Sequence, residues 1–156
     1  MIKTLTLEQV YDRCVADGFV TLKDDVDIEL AKSLLSSAVS AFERSRKIEQ
    51  VFEKETKDFS SFLTERYEVL RKLAEAFLLF DKVWLENHQC LFAYLSVKHP
   101  ELELDWDFFE SIRIKTSSVN EFGVFFGREQ WNEIKFQLGL YITTLLKAVE
   151  EKIKDL

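Results

Sequence analysis

Residues 59–95 read FSSFLTERYEVLRKLAEAFLLFDKVWLENHQCLFAYL, and this stretch decides the fold. Leu63, Tyr67, Leu70, Ala74 and Phe77 alternate steps of four and three. That spacing draws one apolar stripe down an α-helix and sets Glu65, Arg66, Glu68, Lys72 and Glu75 on its other faces. From Phe77 to Phe80 the chain is apolar all round, and Trp84, Leu85, Leu91, Phe92, Tyr94 and Leu95 follow. A segment of this kind contacts neighbours on more than one side, so the rest of the chain is expected to pack around it.

The composition agrees with a helical interior. Four Gly and one Pro leave little turn chemistry for a many-stranded fold. Fourteen Phe and three Trp supply a bulky aromatic core, with some rings available for a subunit interface. A chain of 156 residues fits one domain and buries roughly 70% of the surface its unfolded form exposes. The expected architecture is all-α: an up-and-down bundle of about five helices over 27–156, preceded by a short N-terminal helix and connection over 1–26.

The formal charge of −7 argues against non-specific adhesion to phosphate backbones, although it leaves room for a small basic pocket. No run of about 18 apolar residues offers a membrane span, and MIKTLTLEQV lacks the apolar centre of a signal peptide, so a cytoplasmic location is expected. Cys14 and Cys90 are too few and too scattered for a disulfide framework or a zinc site and read as two buried thiols.

Working outward, Thr6 and Gln9 have the spacing of a capping box for a helix that Gly18 ends, and 19–26 reads as a connection. Asp27 caps a second helix over Ile28–Phe52, with Leu30, Leu34, Ala38, Ala41 or Phe42, Ser45 and Ile48 inward and Glu43, Arg44, Arg46, Lys47 and Glu49 mostly outside. The chain turns through 53–58, and Asp81 and Lys82 mark a break or kink after the central helix. His99 and Pro100 close the element containing Trp84–Val97. A fourth helix runs from Asp107 to about Lys115 and is weakened by Thr116, Ser117, Ser118 and Val119. Gly123 and Gly127 bracket a loop, and Glu129–Ile153 forms a long closing helix.

Chemistry-bearing motifs are sparse. No phosphate-binding glycine loop, nucleophile elbow or paired-histidine zinc motif occurs. The acids Glu101, Glu103, Asp105, Asp107 and Glu110 lack the ligand spacing of a calcium loop and suit a helix start instead. No metal or cofactor is expected. His88 reads as making a core or interface hydrogen bond, and His99, beside Pro100, as exposed.

The order of these patterns resembles the archaeal and bacterial HEPN domains over Ile28–Ile153. The matching positions are Tyr67, Arg71, Ala74, Glu75 and Ala76 on the central helix, then Asn87, His88, Tyr94 and Leu95. The family's ribonuclease motif is an arginine followed, after four to six intervening residues, by a histidine. Here Arg113 has Asn120 at that spacing and Ile114 directly after it, so the imidazole position holds an amide. In active members, the resemblance implies, arginine and histidine act on an RNA phosphodiester without metal. General acid–base help of that kind supplies ~10² to 10⁴ in rate, and an amide cannot exchange a proton near neutral pH.

The resemblance therefore implies a catalytically degenerate helical interaction domain, a homodimer acting beside a minimal nucleotidyltransferase in a toxin–antitoxin pair. Arg113, Ser117, Ser118 and Asn120 are its candidate RNA- or nucleotide-binding residues. Two alternatives stay open: a residual metal-independent ribonuclease toxin using Arg113 with Asn120, Ser118 or His88, and a nucleotide-binding regulatory bundle. If the helix continues through the motif, Arg113 and Asn120 share one face about 10 Å apart. The competing local reading pairs Arg113 with Glu110 and lets Asn120 cap the turn before Gly123.

Overall fold

The computed structural model describes residues 5–156 and is all-α apart from one two-stranded ribbon. Six α-helices follow in order: α1 (Leu7–Ala16), α2 (Ile28–Phe52), α3 (Ser60–Leu79), α4 (His88–Lys98), α5 (Trp106–Phe122) and α6 (Arg128–Lys154). Strands β1 (Thr21–Leu22) and β2 (Val83–Trp84) pair antiparallel, with Thr21 opposite Trp84 and Leu22 opposite Val83. Residues 19–26, expected to be a plain connection, thus form part of a ribbon that ties the N-terminal segment to the α3–α4 junction.

α3 is the axis, packed by α2, α4, α5, α6 and β2. Its inward stripe is as the spacing predicts, with Leu63, Leu70 and Ala74 fully buried, but the helix is enclosed far more widely. Arg66 and Glu75, expected on polar faces, are buried to 6% and 5% exposure. Arg66 is taken up by a network joining three helices. Its Nε donates to Ser45 Oγ at 3.1 Å and its guanidinium pairs with Glu49 at 2.6 Å, while Trp131 Nε1 donates to the other Glu49 oxygen at 3.0 Å. Glu49 therefore faces the interior rather than solvent, and Ile48 lies exposed instead. Glu75 pairs with Arg71 one helical turn away, and Arg71 also bonds Glu68. Burial pushes the Glu75 carboxyl up despite that partner.

The helix ends follow local chemistry. Thr6 and Gln9 form the capping box, and Asp27 accepts from the Leu30 backbone at 3.0 Å. The central segment breaks after Phe80, where Lys82 takes a positive φ of 62° and turns the chain into β2. α5 does not stop near Lys115. It runs through Thr116–Val119 to Gly123, whose φ of 61° ends it, because Phe109, Ile112 and Thr116 are buried along one side. Tertiary packing there overrides the weak propensity of the Thr-Ser-Ser run.

Two further expectations from the sequence do not hold. Cys14 and Cys90 are not thiols: they form a disulfide between α1 and α4, across a sequence separation of 76. His99 is not simply exposed. It bridges Asp81 at 2.5 Å and Glu101 at 2.7 Å, edge-on to Phe77. Among the described residues no helix is long and apolar enough to cross a membrane.

Candidate functional site

Three elements that are distant in sequence converge on one polar cleft of about 330 Å³. α3 contributes Tyr67 and Glu68, the start of α4 contributes Asn87, His88 and Gln89, and α5 contributes Arg113, Thr116, Ser117, Asn120 and Glu121. The α5 residues recur at steps of three and four, so continuation of the helix through the Thr-Ser-Ser run is what presents them on a common face. Asn87 places α4: its Oδ1 accepts from the Cys90 backbone at 3.0 Å and caps the helix, which sets His88 and Gln89 at the rim.

Arg113 is held rigidly. Glu110 accepts from Arg113 Nε at 2.8 Å and from its terminal nitrogen at 3.0 Å, and it also accepts from Gln89 Nε2 at 3.0 Å. The fork fixes the guanidinium plane, ties α5 to the first turn of α4 and raises the Arg113 pKa, chiefly through the Glu110 hydrogen bonds. Asn120 does not cap the turn before Gly123; its Oδ1 accepts from Thr64 Oγ1 at 3.3 Å. Ser117 donates to Glu121 at 3.1 Å, and Ser118, one residue further round the helix, does not line the cleft.

His88 joins Arg113 and Asn120 in the same cleft although it lies on another helix. Its Nδ1 meets the Tyr67 hydroxyl at 3.2 Å. Burial, then the nearby charge of Arg71, push the His88 pKa below the ordinary histidine value, outweighing the opposite pull of Glu68. Burial likewise pushes the Tyr67 phenol up. Burial and the Arg71 charge both favour the neutral His88 imidazole. An NMR titration of its ring protons is expected to give a midpoint below that of an unhindered histidine, about 6.5; a midpoint above it would contradict this electrostatic description. Because the folded-state pKa is depressed, His88 favours folding above about pH 6.5, and that contribution is lost as pH falls through the folded value.

Thr116 forms part of the cleft wall but is 4% exposed, and its covered hydroxyl has no hydrogen-bond partner among the described residues. An unpaired buried hydroxyl costs about 1–3 kcal/mol. With three amides, three hydroxyls, one imidazole, one guanidinium and the two carboxylates of Glu68 and Glu121 around it, the cleft matches a ligand rich in hydrogen-bond donors and acceptors. Among the described residues no three carboxylate, histidine or cysteine side chains gather as metal ligands; of the acids of 101–110, Glu101 pairs with His99, Asp105 caps α5 and Glu110 holds Arg113.

Gln89, Thr116 and Glu121 were not legible as site residues, because nothing in their local pattern distinguishes them from ordinary helix positions. Tyr67 and Asn87 stand in the sequence only as points of resemblance, whereas His88 is also read there as a hydrogen-bonding group and as an alternative partner of Arg113. No protein-family model matches the chain, and no curated protein or solved structure shows significant similarity to it.

Proposed function

We propose that the chain is a HEPN-like helical interaction domain whose α3–α4–α5 cleft receives one ribonucleotide unit without cleaving it. The observation that carries this reading is the convergence of Arg113, Asn120 and His88, from two helices, on one polar cleft. Side-chain amides such as Asn87, Gln89 and Asn120 match the mixed donor and acceptor edges of a base, and the half-buried His88 ring offers a stacking surface. A volume of about 330 Å³ suits a single nucleotide rather than a helix of RNA. The chain's charge of −7 agrees with local recognition instead of a long electrostatic track.

The test is fluorescence anisotropy with a short labelled oligoribonucleotide and, in competition, AMP. Arg113→Ala is expected to weaken binding by about tenfold or more, the worth of a charge-assisted hydrogen bond. Competition by AMP identifies a free nucleotide as sufficient; binding of the oligomer alone identifies an RNA end. Failure of both ligands to bind at millimolar concentration would remove the reading.

Cleavage is a second reading, favoured by one observation: the His88 imidazole shares the cleft with Arg113. Incubation with RNA in the presence of chelator distinguishes the two. Cleavage that vanishes in both Arg113→Ala and His88→Ala would replace the binding-only proposal with a metal-independent ribonuclease. The reading also includes a homodimer and, from the resemblance, a minimal nucleotidyltransferase as toxin–antitoxin partner. An adjacent reading frame encoding such an enzyme would support the latter.

A further inference from the structure

α6 has a second stripe, on the side turned away from the core. Glu129, Glu133, Phe136, Leu140, Thr143 and Lys147 succeed one another in steps of four and three, and all are exposed. This is the spacing of a helix seam in a left-handed pair. At its centre Phe136 is 80% exposed, and beside it lies a groove of about 400 Å³ floored by Gly139 and walled by Phe42 of α2. A Cβ built on Gly139 would meet nothing within 4 Å, so no contact within the chain requires a glycine there. Glycine in mid-helix nevertheless costs about 1 kcal/mol relative to alanine.

We propose that this face docks a second copy of the chain, α6 against α6, antiparallel across a two-fold axis. The inference deepens the homodimer part of the reading above and is independent of the nucleotide cleft. A protruding ring and an open groove on the same face are self-complementary, as a two-fold contact requires. The charges select the direction. The register that sets Phe136 against the partner's Leu140 is centred on Leu138, and the same centre sets Glu129 against the partner's Lys147, twice by symmetry. A parallel pair would instead oppose Glu129 to Glu129. Neither Glu129, Glu133 nor Lys147 forms an ion pair within the chain among the described residues. The seam from Glu129 to Lys147 spans roughly 27 Å at the rise of an α-helix. Gly139 then allows the two backbones to approach closely.

Analytical ultracentrifugation across a dilution series tests this. The wild-type protein is expected to sediment as a dimer. Phe136→Glu is expected to weaken association about 30-fold or more, the loss typical of a central aromatic anchor, while circular dichroism stays unchanged because the ring lies outside the core. Glu129→Lys and Lys147→Glu should each weaken the dimer severalfold, and the double variant should restore it. A dimer indifferent to Phe136→Glu would overturn this face and keep the homodimer. A wild-type monomer at all concentrations would overturn both.

Discussion

Replacing Arg66 with alanine is expected to destabilise the fold by about 3–5 kcal/mol, the cost of stripping one partner from a buried ion pair. The guanidinium lies between Ser45 and Glu49 of α2 and over the Trp131 ring of α6, with its centre 5.2 Å from that ring. Its removal leaves the Glu49 carboxylate with the Trp131 N–H as its remaining hydrogen-bond donor. It also opens a void where three helices meet. The pH dependence gives a second handle. Burial works to raise the Glu49 pKa, but the hydrogen bonds from Trp131 and Arg66 and the Arg66 charge prevail and hold it below the usual carboxylate value. A depressed folded-state pKa adds stability that is present above about pH 4.5 and lost as pH falls through the folded value. Arg66→Ala should therefore flatten the acid side of the stability curve as well as lower it. Urea denaturation at pH 7 and pH 4 measures both; a loss below about 1 kcal/mol would mean that the network contributes no more than a surface pair.

The second large effect concerns Cys14 and Cys90. Closing a loop with a sequence separation of 76 restricts the unfolded chain enough to stabilise the fold by roughly 4 kcal/mol. α1 lies against α4, with Tyr11 on Tyr94 at 6.0 Å and Lys98 over the Tyr11 ring. Reduction by a dithiol, or Cys14→Ala with Cys90→Ala, is thus expected to lower global stability by that amount and to leave α1 the first element to open. Hydrogen exchange should show the amides of 7–16 losing protection ahead of α3. Two free thiols counted in the unreduced, denatured protein would contradict the bridge itself.

The helices were legible in the sequence because their signals are local and repeated. The α3 stripe, the Thr6–Gln9 box, the Asp27 cap and the α6 stripe each state a period or a cap within a few residues. Features that depend on distant partners were not. Arg66 and Glu49 look like solvated charges until α2, α3 and α6 are assembled, and two cysteines 76 apart carry no spacing code. β1 is only two residues long and is identified by its partner strand, not by its own pattern. At the cleft, Arg113 and Asn120 could be placed on one face by helical arithmetic. The arrival of His88 beside them depends on the turn at Lys82 and the Asn87 cap, which reverse the chain between α3 and α4.

The most direct test of the cleft is an amide NMR titration of the isotopically labelled protein with a short oligoribonucleotide and with AMP. The account predicts that shifts concentrate at Tyr67–Glu68, Asn87–Gln89 and Arg113–Glu121 and collapse in Arg113→Ala. Shifts confined to the outer face of α6, or absent at saturating ligand, would contradict it.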